Sequence, residues 1–212
     1  MRALKYFIPV FIITVLFLAG CGPTRVNIRP QYPSGNYPEK FNAKIALYFD
    51  EEITTYIERL HSTGDFCAGH SYDVPVYDGI TDAITSAMQS IFTDVSVVDE
   101  IPDSTRISRY DAIVKVGLGN FDDDVQITEL TFGYKVKATF QVSLDIEMDS
   151  NQMKTIYSYN PHSTGIKSDR VTRCSEIGEI IGFAFEKSMA QISTDTARAF
   201  YDSRQVADFI HP

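Results

Sequence analysis

The segment from Tyr134 to Met148 constrains the fold more than any other in the chain. Tyr134, Val136, Ala138, Phe140, Val142, Leu144, Ile146 and Met148 alternate with Lys135, Lys137, Thr139, Gln141, Ser143, Asp145 and Glu147. A period of two held this long defines a β-strand with one apolar and one wet face. Such a strand needs neighbours along its edges and a layer over its apolar side. Tyr110 to Leu118 alternates in the same way, and Lys44 to Phe49 (KIALYF) is a third strand-forming run. Asp149-Ser150-Asn151-Gln152 predicts a turn, with Lys154 to Asn160 as the return strand of a hairpin, and DVSVVDE predicts a further short strand. Two amphipathic helices supply the covering layer. Ile80, Ala83, Ile84, Ala87, Met88, Ile91 and Phe92 recur at helical spacing from Asp78, a candidate N-cap. Ile177, Ile180, Ile181, Ala184, Phe185, Met189 and Ile192 recur likewise from Ser175, a second candidate N-cap, to about Tyr201. The expected fold is α+β: a two-layer sandwich of a mainly antiparallel sheet with two amphipathic helices on one face.

The N-terminus constrains location. Arg2 and Lys5 precede an apolar run from Tyr6 to Leu18 that ends in Leu18-Ala19-Gly20-Cys21. A charged start, a short apolar middle and a small-residue end make a secretory signal. The run is shorter than the roughly 20 apolar residues of a membrane-spanning helix. Leu18 to Cys21 resembles the lipobox of bacterial lipoproteins. That likeness implies cleavage before Cys21 and attachment of palmitate-type acyl chains to its thiol and new amine, enough for stable anchoring. The chain then divides into a signal peptide (1–20), a lipidated cysteine with an extended Pro-rich tether (21–42) and a periplasmic α+β domain (43–212). A tether of this composition would reach up to roughly 60 Å; a strap lying on the domain is the alternative. In lipoproteins of this kind an aspartate after the lipidated cysteine favours inner-membrane retention; with Gly22 there instead, the resemblance implies the outer membrane, facing the periplasm. Loss of Arg2 and Lys5 with the leader takes the formal charge from −9 to −11. Phosphate-mediated binding of nucleic acid is not expected of such a chain. The sequence shows no basic cluster to grip anionic headgroups either, which leaves lipid alone as the expected membrane contact.

Beyond Cys21 two cysteines remain, Cys67 and Cys174. In an oxidising compartment the pair predicts a disulfide, with two separate buried thiols as the alternative. Cys67 and His70, with His162 and Cys174, contain the residue types of a Cys2His2 metal set, but only one short-range pair has suitable spacing. A nucleophilic Cys67 with His70 as its base lacks an orienting third group. Asp122-Asp123-Asp124 suits a hard cation in type but not in spacing, and reads as a solvated bulge or turn. No nucleophile elbow and no phosphate-cradling glycine loop occurs. The expectation is therefore no catalytic residues, no metal and no cofactor. The wet stripe Lys135, Lys137, Thr139 and Gln141 is the candidate partner-binding surface, by face or by edge pairing; a plain solvent-facing sheet is the alternative.

The segment SMAQISTDTARAFYDSRQVADFI, Ser188 to Ile210, resembles the closing stretch of the YajG-type small lipoproteins, and the lipobox and element order match as well. A looser likeness of architecture joins the chain to curli-secretion, polysaccharide-export and penicillin-binding-protein-activator lipoproteins. These resemblances imply a non-enzymatic envelope lipoprotein that binds a protein partner as an assembly accessory. The alternative they leave is a subunit of an oligomeric outer-membrane secretion or export complex, joined through an exposed strand edge and the glycine-bearing last helix.

Overall fold

The computed structural model describes residues 23–29, 32, 37–62, 66–103 and 106–211. The strands are β1 (Thr24–Arg25), β2 (Phe41–Phe49), β3 (Glu58–His61), β4 (Ser71–Val74), β5 (Phe92–Val98), β6 (Ala112–Glu129), β7 (Tyr134–Ser150), β8 (Thr155–Tyr159) and β9 (His162–Val171). The helices are α1 (Glu51–Thr54), α2 (Val76–Ile91), α3 (Cys174–Tyr201) and α4 (Arg204–Ile210). The central sheet runs β5-β2-β6-β7-β8, and β9 also pairs with β7.

The alternating segment is the middle of this sheet. β7 runs antiparallel to β6 from Ala112↔Ser150 to Glu129↔Tyr134. Its other edge is filled by β8 opposite Ile146–Asp149 and by β9 opposite Tyr134–Ser143. β2 lies parallel to both β5 and β6, because the chain returns from α2 into β5 in the same direction. The apolar side of β7, from Val136 to Met148, is at most 2% exposed. Ile80, Ile84, Met88 and Ile91 of α2 and Ile181, Phe185, Met189 and Ile192 of α3 are fully buried in the same core. The two-layer α+β sandwich is thus the observed fold, with both long helices on one face.

Several elements differ from the sequence reading. A small sheet, β1-β4-β3, is added: β3 and β4 lie between β2 and α2, and β1 comes from the segment before β2. Helix α2 begins at Val76, because burying Val76 carries the helix back past Asp78, which sits in the first turn and pairs with Arg25 at 2.9 Å. Helix α3 begins at Cys174 rather than after Ser175; the Glu176 carboxylate accepts the N–H groups of Thr172 (2.7 Å) and Arg173 (3.2 Å). Asp122–Asp124 form neither bulge nor turn. They continue β6, and the register shift falls earlier, between Leu118 and Asn120.

The stretch read as a tether is laid on the domain where it is described. Thr24 and Arg25 pair with Tyr72 and Asp73, and the Val26 N–H donates to Asp73 O at 2.9 Å. Val26 is 2% exposed, the Tyr32 hydroxyl donates to Gly79 O at 3.0 Å, and Tyr37 packs on Tyr201 with ring centroids 4.6 Å apart. This is the strap alternative.

Candidate docking face

The helices leave the second face of the sheet to be filled by other means. At one end, Ile107 and Tyr110 close over Ala46 and Ile113 in a small separate cluster. The distal half, built from β6, β7 and β9, carries no such cover among the described residues. Lys135, Lys137, Thr139 and Gln141 stand there in one row on β7, as alternation demands. Their cross-strand neighbours follow from the register. Lys135 lies between Thr128 and Arg170, and Lys137 between Gln126 and Ser168. Thr139 lies between Asp124 and Ile166, and Gln141 between Asp122 and Thr164. The face is therefore basic toward the β6–β7 turn and acidic toward the sheet centre, with Ile166 (44% exposed) between.

Edge pairing through β7 is ruled out, since both its edges are occupied. On this half of the sheet, among the described residues, the open edge is that of β9. The Leu144 N–H donates to Pro161 O at 3.0 Å, so alternate residues from Pro161 onward face β7. Thr164, Ile166, Ser168 and Arg170 then turn their backbone groups outward. The other side of β9 is pressed onto α3: a Cβ on Gly165 would stand 1.9 Å from Ala184 O. The glycines of α3 are used internally, not on an outer contact. Gly182 receives the strap, where a Cβ would meet Asn27 O at 3.0 Å, and Gly178 faces the Tyr72 ring.

Two charged clusters flank the face. The Lys115 ammonium sits 2.9 Å from Glu147 and 2.7 Å from Asp149, whose side chain is 3% exposed. Burial opposes the Asp149 charge, but hydrogen bonds from Lys115 and Thr155 and the Lys115 charge outweigh it and hold the carboxyl below its usual range. On the helix side of β6, burial with Glu58, Asp122 and Asp124 nearby pushes Asp123 up to about 6. The acidic triplet is visible in the sequence, but the part played by Glu58 is not, because Glu58 is far from Asp123 along the chain.

Cys67 and Cys174 are disulfide-bonded, with sulfurs 2.02 Å apart. Both thiols are therefore consumed, and neither the Cys2His2 set nor a Cys67 nucleophile remains. His162 lies on β9 opposite Ser143. Among the described residues no group of three His, Cys, Asp or Glu is arranged to hold a metal ion, and no helix is long and apolar enough to cross a membrane. Cys21 lies outside the described residues.

No protein-family model matches this sequence, and no curated protein matches it. Among solved structures, the chain is similar to a minor lipoprotein from Acinetobacter baumannii, at 9% identity and TM-score 0.40, over 76% of this chain and 92% of that one. It is similar to a protein described as a neuraminyllactose-binding hemagglutinin homologue from Helicobacter pylori, at 13% identity and TM-score 0.42, over 87% and 96%. It is also similar to a PelC dodecamer subunit from Paraburkholderia phytofirmans, at 13% identity and TM-score 0.28, over 72% and 92%. At these scores the likeness carries no function over to this chain.

Proposed function

We propose that this chain is a non-catalytic lipoprotein of the bacterial envelope, of YajG type, which docks a protein partner on the open face of its sheet. Acyl chains on Cys21 hold it at the outer membrane, facing the periplasm. The leader and the Leu18–Cys21 sequence support the anchor, and the disulfide fits an oxidising compartment. The observation that supports docking is the uncovered distal half of the sheet. There, a rigid row of Lys135, Lys137, Thr139 and Gln141 stands beside Asp122, Asp124 and the exposed Ile166. Polar groups of both signs around an apolar centre suit protein recognition. They are spread along strands at cross-strand spacing, without the convergent nucleophile and base that hydrolysis requires.

A photo-crosslinker placed at Lys137 or Gln141 in living cells tests this. A defined adduct is expected from either position, lost on adding Thr139→Glu in the middle of the row, and absent when the probe is at Glu179 on α3. Adducts independent of position would contradict a docking face. The second reading, a subunit of an oligomeric export complex, is favoured by the free β9 edge. The native mass in mild detergent separates the two, because a closed ring runs at many times the monomer.

A further inference from the structure

The strap fixes where the anchor leaves the domain, and hence which end meets the membrane. Asn27 lies against Gly182, and the Arg29 N–H donates to the Glu186 carboxylate. The strap therefore climbs α3 from its N-terminal end. Followed backward it descends through Thr24, which pairs with Tyr72, whose hydroxyl donates to Cys174 O at 2.9 Å. Only three peptide steps separate Thr24 from Cys21, a span of at most about 11 Å. Acyl chains on Cys21 must enter the bilayer within that distance of the Tyr72–Cys174 end.

The same end carries an unpartnered aromatic and a gathered positive charge. Gly133 in the β6–β7 turn packs against Val171 O and Thr172, two residues from the start of α3. Tyr134 stacks on Phe66 of the disulfide loop at 3.7 Å. Between these fixed neighbours Phe132 projects, 89% exposed, the most exposed large apolar side chain among the described residues. Lys135 and Arg170 sit side by side just behind the turn, and Arg173 is exposed at the head of α3. Of the acids at this end, Glu176 caps Thr172 and Arg173 and Asp169 binds Lys167 and the Arg170 N–H, while Glu129, opposite Tyr134, sets one exposed negative charge against the three cations. No contiguous basic run exists in the sequence; the topology assembles this cluster from two distant segments, Lys135 on one and Arg170 with Arg173 on the other.

We propose that this end is the membrane-facing surface, with Phe132 entering the headgroup region and Lys135, Arg170 and Arg173 meeting anionic lipid beside the acyl anchor. The inference rests on lipidation of Cys21. The chain contains no tryptophan, so Phe132→Trp supplies a single fluorophore. The full lipidated variant is reconstituted into phosphatidylethanolamine–phosphatidylglycerol vesicles, with Phe183→Trp, at a 59% exposed position on α3, as the companion. Phe132→Trp is expected to show blue-shifted emission and about twofold or greater quenching by lipids brominated near the headgroup. Phe183→Trp is expected to stay accessible to aqueous quencher. Vesicle-bound protein whose Phe132→Trp fluorophore remains in water overturns the orientation and leaves the anchor standing. A blue shift without bromolipid quenching indicates a protein contact instead and also overturns it. Protein that fails to float with vesicles overturns both readings.

Discussion

Removing the disulfide by Cys67→Ser with Cys174→Ser probes the tie between the inserted loop and the head of α3. The bond closes a loop of 107 residues. In the chain-entropy treatment, closing a loop of that length restricts the unfolded chain by about 4.8 kcal/mol at 25 °C. One native feature works against the full loss. Cys67 has φ +61°, a left-handed conformation that costs a non-glycine residue about 1–2 kcal/mol and can relax once the bond is gone. The net loss is then about 3–4 kcal/mol, which for a domain of this size lowers Tm by roughly 6–16 °C. Thermal unfolding of the purified protein followed by circular dichroism reads this directly, and reductant should bring the wild-type chain to the same Tm. A fall below about 2 °C, or two titratable thiols in the unreduced, denatured wild type, would refute the reasoning.

Gly165→Ala should force α3 off β9, because the new methyl would meet backbone at 1.9 Å rather than a movable side chain; urea unfolding should show a loss of about 3 kcal/mol, and a change below about 0.5 kcal/mol would contradict the packing. Asp123→Asn should stabilise the protein at neutral pH. The folded carboxyl titrates near 6 against an ordinary 3.8, so the folded state holds the proton more tightly and loses stability as pH rises from about 4 to 6. After allowance for its exposed half, a gain of about 1 kcal/mol, or roughly 2–4 °C, is expected at pH 7.5, fading to none by pH 4; an equal gain at both pH values would show that burial and charge are not its cause.

What could be read from sequence depended on how each element is buried. β7, α2 and α3 press long apolar rows into one core, so their periods are plain. β9 was invisible because its buried side is Ser163 and Gly165, small residues demanded by the α3 backbone, while its exposed side includes Ile166. The small sheet uses strands of two to four residues, too short to show a period. The strap carries its contacts through backbone groups and a few scattered side chains, Val26, Tyr32 and Tyr37, with no period for the Pro-rich sequence to display. Of the docking face, the β7 row was legible from alternation alone. Its neighbours on β9, and the clustering of Lys135, Arg170 and Arg173, required the register.

The account stands on acylation of Cys21, from which compartment, redox state and orientation all follow. Intact-mass analysis of the protein purified from native membranes tests it most directly. The expected species begins at Cys21 and carries the added mass of two or three fatty acyl chains on that residue. A species that retains residues 1–20, or one that begins at Cys21 without acyl mass, would contradict it.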